Sequence, residues 1–255
     1  MRTALVGGGS SGIGHAIAER LAGAGDRVVI TGRHADALEA AAAHLGGALG
    51  DVHALVSDMA DPASAAAATE EVEHRHGGLD VLVLNAGGPA PGGILDLDDT
   101  RWREASELLL LGPLRLARLA MPGMAKRGFG RVVFVTSTAV RQPQPDLAAS
   151  VVLRSAVTAA AKLLSLEFAA QGVTVNCVAP GATSTERRTQ ILTNRARATH
   201  QGFDELDAQD LAHIPAGRAA RPAEIAAAVA FLASDDAAYI NGTVLTVDGG
   251  RTETI

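Results

Sequence analysis

The sequence alternates short β-branched apolar runs with longer alanine-rich stretches, and this alternation constrains the fold more than any other feature. Strands alternating with helices of this length predict βαβ units, and right-handed crossovers then give a doubly wound parallel sheet. We therefore expect one Rossmann-like α/β domain over residues 1–255. The predicted buried strands lie at 5–6, 28–30, 81–84, 132–135 and 173–175, and the predicted helices near 12–24, 35–45, 61–76, 98–127 and 148–170.

The amino-acid composition argues against several types of function. Hydrophobic residues make up 47% of the 255 positions, which is enough for a large core in one α/β unit. The net charge of −6 argues against a nucleic-acid partner. The single cysteine, Cys177, excludes an intramolecular disulfide and a cysteine-based metal cluster, and its apolar surroundings predict a core residue. The eight histidines form no i,i+4 pair, so we expect no metal site.

The apolar runs and the N-terminus indicate where in the cell the protein is located. No uninterrupted apolar run approaches the roughly 18 residues that a membrane span needs. The chain passes from Met1 almost directly into a glycine loop, which leaves no room for a signal peptide. We therefore expect a cytoplasmic protein that does not bind membranes.

A glycine-rich loop, GGGSSGIG at residues 7–14, follows the first predicted strand and leads into a helix. Glycines let a backbone approach a pyrophosphate closely, and the following helix N-terminus offers free N–H groups and a positive dipole end. The spacing G-x-x-x-G-x-G departs from the usual dinucleotide fingerprint, but its place at the first strand-to-helix turn indicates a nucleotide site. The candidate phosphate-binding residues are Gly8, Ser10, Ser11, Gly12, Ile13 and Gly14.

The residue that follows the second strand distinguishes NAD from NADP. An acidic side chain there binds the ribose hydroxyls, whereas an arginine accommodates the 2′-phosphate. This chain has Arg33 and no carboxylate at that place. The sequence therefore favours NADP(H) over NAD(H).

A polar, weakly patterned insert runs from about residue 184 to 215 and follows a predicted strand. Ligands of doubly wound sheets bind at the carboxyl ends of strands, so this insert is a candidate substrate lid. The alternative is a pair of surface helices that never touches substrate.

Further short motifs follow the glycine loop along the chain. In their order and spacing, they and the loop resemble the short-chain dehydrogenase/reductase family nearly end to end. They are Asp58-Met59, Asn85-Ala86-Gly87, Val175 to Gly181, Thr185, Gly217-Arg218, Arg221 to Ala226, Tyr239 to Gly242 and Val247 to Gly250. The resemblance implies an NADP-dependent oxidoreductase that acts on a carbonyl or alcohol group of a small molecule, as a homotetramer. It also implies cofactor contacts from Asp58, Met59, Asn85, Ala86, Gly87, Pro180, Gly181, Thr183 and Thr185.

The catalytic positions depart from the family pattern, in which a serine, a Tyr-x-x-x-Lys pair and a supporting asparagine act together. Ser137 matches the serine. Ser150 stands at the tyrosine position, Arg154 at the lysine position and Leu109 at the asparagine position. Ser150 and Arg154 are spaced i,i+4, so both should face the same crevice. A serine hydroxyl is a far weaker acid than a phenol, and arginine is not a proton source near neutral pH.

These substitutions leave three hypotheses open. In the first hypothesis, the chain is an atypical oxidoreductase in which water, the substrate or a lid residue donates the proton. Alternatively, it is a dehydratase, cyclase or isomerase that uses Ser137 and Arg154 electrostatically, or a non-catalytic nucleotide-binding or regulatory protein. His200 and His213 lie in the candidate lid and are the best-placed substitute donors under the first hypothesis.

Overall fold

The structure, a computed structural model, describes residues 1–254. Seven parallel strands form one sheet in the order β3-β2-β1-β4-β5-β6-β7. This confirms the predicted doubly wound parallel sheet. The strands are β1 (Thr3–Gly7), β2 (Arg27–Gly32), β3 (Val52–Val56), β4 (Val81–Leu84), β5 (Gly130–Val135), β6 (Val173–Pro180) and β7 (Val244–Val247).

The five predicted strands are all present, but the sequence pattern missed β3 and β7. Both are edge strands of the sheet. Several of their side chains are partly exposed, so neither reads as the continuous apolar run that identifies a buried parallel strand.

Residues 1–254 form nine α-helices. They are α1 (Gly12–Gly23), α2 (Ala35–Leu49), α3 (Pro62–His76), α4 (Asp99–Ser106), α5 (Gly112–Arg127), α6 (Ala148–Phe168), α7 (Glu186–Thr199), α8 (Phe203–Ala212) and α9 (Pro222–Leu232).

The helix predicted over 98–127 is divided, which corrects that expectation. A π-helical turn, Glu107–Leu111, separates α4 from α5. Pro113 stands at the start of α5 and has no N–H to donate to the preceding turn. A Cβ at Gly112 would lie 2.3 Å from the Met59 carbonyl oxygen, so the chain passes too close to Met59 for any other residue. The proline and this close approach account for the wider turn.

Alternating residues of the strands contribute to two hydrophobic core clusters, one on each face of the sheet. On one face, Val6 and Ile30 pack under α1, α2 and α9. On the other, Leu5 and Phe134 pack under α3, α5 and α6. Cys177 belongs to the second cluster and is 1% exposed, which confirms the prediction of a core cysteine.

Two helical segments, Asp99–Arg127 and Ala148–Gln171, are long and apolar enough by length and composition to cross a membrane. The sequence predicts both helices, and arginines and lysines interrupt their apolar runs. Both segments contribute to the core: α5 packs on β4, β5 and β6, and α6 packs on β6. Such packing is typical of helices that cover a sheet.

Candidate active site

The candidate site lies along the carboxyl edge of the sheet, where β1 and β4 are neighbours and the chain leaves them towards opposite sides. This is the switch point at which doubly wound sheets bind ligands. The glycine loop follows β1, Arg33 follows β2, and Asn85 follows β4. Ser137 follows β5, and Thr183 and Thr185 follow β6.

Close backbone approaches hold the glycine loop at this edge. A Cβ at Gly14 would lie 2.1 Å from the Gly8 carbonyl oxygen, so α1 packs directly on the loop. Gly8 and Gly12 have φ angles of 62° and 56°, which L side chains rarely adopt. The Asn85 side chain donates to the Gly7 carbonyl oxygen at 2.9 Å and thereby ties β4 to the loop. These contacts hold the loop against α1 and against the end of β4.

The beginning of α1 is suited to an anion. Ser11 occupies the N-cap position but makes no side-chain cap hydrogen bond. The free N–H groups of the first turn and the positive end of the helix dipole then remain for a ligand. Thr185 lies on the other side of the loop, with its Cγ2 3.5 Å from where a Cβ of Gly12 would be. The residues present therefore fit a pyrophosphate.

Arg33 and Asp58 come together at the β2–β3 side of the same edge. Gly32 pairs with Val56 in the parallel register, so the residues that follow the two strands are neighbours. Arg33 is exposed and has no carboxylate within 4 Å in residues 1–254. The Asp58 carboxylate accepts from the Ala60 N–H at 2.9 Å, which fixes the turn that Met59 occupies. A free arginine here is available to a ligand.

Ser150 and Arg154 contact each other at the end of β5, two residues before Ser137 in the chain. Arg154 donates from Nη1 to the carbonyl oxygen of Val135, the last residue of β5, at 2.7 Å. It also donates from Nε to the Ser150 hydroxyl at 3.2 Å. The prediction that Ser150 and Arg154 share one side of α6 is therefore confirmed. Ser137 follows two residues after Val135, and its hydroxyl accepts from the Ala139 N–H at 3.1 Å.

The charge on Arg154 is unusual because it has no acidic partner within residues 1–254. Desolvation by the surrounding protein and, as the smaller cause, the nearby Arg187 charge together lower the pKa of Arg154 to about 10. The guanidinium still stays charged at neutral pH. It therefore supplies a fixed positive charge beside the Ser150 hydroxyl.

Leu109 lies in the π-helical turn and is 3% exposed. It packs in a small apolar cluster with Ala149 and Leu153 of α6, immediately beside Ser150. The support behind Ser150 is therefore apolar.

The insert predicted as a lid folds into α7 and α8, which pack on each other. Arg195 of α7 forms an ion pair with Asp146 at 2.6 Å, and so ties the insert to the loop that leads into α6. His200 is exposed at the end of α7, and His213 is exposed and contacts the Gln209 carbonyl oxygen. No contact places either histidine against Ser137 or Ser150 in residues 1–254. The lid role stays a prediction.

The sequence reading did not single out Arg187, in the first turn of α7. Its guanidinium donates to the Pro89 carbonyl oxygen at 2.5 Å and lies where a side chain at Gly88 would otherwise be. The loop after β4 and the start of α7 therefore meet over the crevice. Only the position of Arg187 shortly after Thr185 hinted at this contact.

Lys162 lines a cavity of about 370 Å³ with Cys177 and Gly242, and this cavity does not include Ser137, Ser150 or Arg154. Within residues 1–254, no group of three His, Cys, Asp or Glu side chains is placed to hold a metal ion.

Comparison with known proteins decides the family. The sequence matches the family described as enoyl-(acyl carrier protein) reductase over residues 8–252. It is 36% identical to the 3-oxoacyl-(acyl-carrier-protein) reductase of Haemophilus influenzae over 249 residues, covering 98% of this chain and 97% of the relative. The chain belongs to the short-chain dehydrogenase/reductase family.

Solved structures agree with this assignment. An NADPH-dependent reductase involved in bacilysin biosynthesis superposes with a TM-score of 0.95 at 30% identity, covering 100% of this chain and 99% of that one. The L-sorbose reductase of Gluconobacter frateurii, solved with NADPH and L-sorbose, gives 0.94 at 32% identity, with 100% and 97% covered. The relatives act on different molecules, so family membership alone does not identify a substrate.

The buried cysteine gives a testable consequence. Burial raises the pKa of the Cys177 thiol from 9.0 to about 12 because the low-polarity surroundings disfavour the thiolate. We expect iodoacetamide at pH 8 to label native Cys177 at least about 10³-fold more slowly than the protein unfolded in guanidinium chloride, since thiolate is the reactive form. Mass spectrometry follows the labelling. Rapid labelling of the native protein would contradict the buried position.

Proposed function

We propose that this protein is an NADP-dependent oxidoreductase that acts on a carbonyl or alcohol group of a small molecule, with Ser150 and Arg154 in place of the usual tyrosine and lysine. The observation that carries the proposal is that Arg154 bonds both Ser150 and the end of β5, two residues before Ser137, on the edge that also holds the glycine loop. Arg154 spans from α6 to the end of β5, where the family's lysine would stand.

NADP(H) as the cofactor is supported by two features. Arg33 follows β2, is exposed and has no acidic partner in the described residues, so it is free to bind a 2′-phosphate. Two similar structures are described as NADPH-dependent or as NADPH complexes. The uncapped start of α1 then receives the pyrophosphate.

When bound, the nicotinamide supplies or accepts the hydride. The residues of the chain manage the charge and the proton. The Ser137 hydroxyl accepts from Ala139, so its own proton is free to donate to a substrate oxygen. Ser150 accepts from Arg154, and its proton is likewise free. The fixed charge of Arg154 stabilises negative charge that develops on that oxygen, and Ser150 passes a proton to it and regains one from water.

The proposal includes a homo-oligomer, with four copies by family resemblance. Leu163 and Leu166 of α6 are each 67% exposed, and Leu111 and Leu119 on the adjoining segment are also exposed. A second copy packed on this apolar surface would bury it. Sedimentation velocity is the measurement: we expect a dimer or tetramer at micromolar concentration, and Leu163→Glu with Leu166→Glu should dissociate it. A monomeric wild-type protein would contradict this part of the proposal.

The cofactor preference is tested at Arg33. We expect Arg33→Asp to weaken NADPH binding by about 10- to 100-fold, because a charge-assisted hydrogen bond contributes about 1.5–3 kcal/mol and 1.4 kcal/mol corresponds to tenfold. NADH binding should change little or improve. Fluorescence titration measures both. Arg20→Asp, at an exposed position near the other end of α1, is the control and should leave both affinities unchanged. Absence of binding to either cofactor by the wild-type protein would refute the oxidoreductase proposal.

The proton-transfer assignment is tested by restoring the family pair. We expect Ser150→Tyr with Arg154→Lys to raise NADPH-dependent reduction across a panel of carbonyl compounds by at least about tenfold, because general acid catalysis contributes about 10²–10⁴. Absorbance at the NADPH band follows the reaction. Val152→Tyr adds a tyrosine at an exposed position of the same helix and should not have this effect. Product formation by the wild-type protein without NADPH consumption would instead indicate a dehydratase, cyclase or isomerase.

A further inference from the structure

Two arginines differ from the others in that they are partly buried and form no ion pair in the described residues. In residues 1–254, twelve of the arginines have a carboxylate oxygen within 4 Å. Six of those without one are exposed to solvent, where water solvates the charge. Arg154 and Arg187 are the two that are partly buried and have no acidic partner in this part of the chain.

Both guanidinium groups belong to the same crevice. Arg154 is held from α6 at the end of β5 by its bonds to Val135 and Ser150. Arg187 comes from the first turn of α7 and is held by the Pro89 carbonyl oxygen over Gly88. The same loop continues to Gly92, which bridges Leu147 at the start of α6. The two charges are near enough for Arg187 to lower the pKa of Arg154.

The hydrogen bonds leave donors free on both groups. Arg154 uses Nε and one Nη1 proton, and Arg187 uses one Nη2 proton. A guanidinium presents more N–H donors than these in a planar fork that matches a carboxylate or phosphate. Two partly desolvated like charges without a counter-ion are unfavourable in the free protein, and an anionic ligand removes that cost.

Other arginines of the same helix show that the pairing is selective. Arg188 forms ion pairs with Asp207 and Asp210, and Arg195 forms one with Asp146. Acidic side chains are therefore available around α7, yet none is placed at Arg187. An anion from outside the chain is the partner that this arrangement lacks.

We propose that Arg154 and Arg187 form an anion-binding subsite of the substrate crevice, so that the substrate is a carbonyl or hydroxy compound that carries a carboxylate or phosphate group. The inference rests on the proposed function, since it specifies the substrate class of that site. The anion lies between α6 and α7, and it holds the reacting group against Ser137 and Ser150.

Isothermal titration calorimetry of the full chain tests the subsite, with 4-oxopentanoate and 5-oxohexanoate as probes and their uncharged amides as matched controls. Each probe is titrated with and without saturating NADP⁺. We expect each acid to bind at least about tenfold more tightly than its amide, because only the acid forms charge-assisted hydrogen bonds with the arginine pair.

Variants locate the effect. Arg187→Met keeps an unbranched apolar stem and removes the charge, and it should reduce the preference for acid over amide to near one. Arg154→Met should act in the same direction; if it does not fold, Arg187→Met decides alone. Arg197→Met is the control on α7, since Arg197 is exposed and has no acidic partner in the described residues. It should keep the full preference.

Two results would overturn the subsite. One is equal binding of the acids and their amides to the wild-type protein. The other is an Arg187→Met protein that keeps the preference but loses NADPH affinity, since the pair would then serve a cofactor phosphate. Failure of the wild-type protein to bind NADPH or NADH would instead count against the proposed function alone, because the titrations without NADP⁺ still measure the acid preference.

Discussion

The parallel register of β1, β4, β5 and β6 determines where every candidate residue lies. Because the strands run in one direction, their carboxyl ends meet at a single edge, and the loops that follow them share that edge. The Asn85 bond to Gly7 then joins the β4 loop to the glycine loop across the switch point. Without this register, the nucleotide edge and the serine–arginine group would not be neighbours.

Arg154 connects that edge to α6, and its positive charge has no acidic partner in the described residues. Its bonds to Val135 and Ser150 are with neutral acceptors, so they orient the guanidinium without neutralising it. A charge that the protein leaves uncompensated costs stability, and such costs are typical of groups that serve a ligand. Arg187, held from α7, adds a second positive charge that further disfavours the charged form of Arg154.

Sequence patterns predicted the features that depend on local order. The βαβ alternation gave the doubly wound sheet, and the i,i+4 spacing gave the contact between Ser150 and Arg154. The π-helical turn was missed because it depends on how closely Gly112 passes Met59, a contact between residues distant in sequence. Arg187 was missed for the same reason: its partner, Pro89, is 98 positions away. The edge strands were missed because they are partly exposed.

The ion pair between Arg195 and Asp146 has a mechanical consequence. Asp146 lies two residues before α6, the helix that carries Ser150 and Arg154, and Arg195 lies on α7, the helix that begins just before Arg187. The pair therefore joins the helix of Arg187 to the loop that leads into the helix of Ser150. Any displacement of α7 that preserves this ion pair also moves that loop.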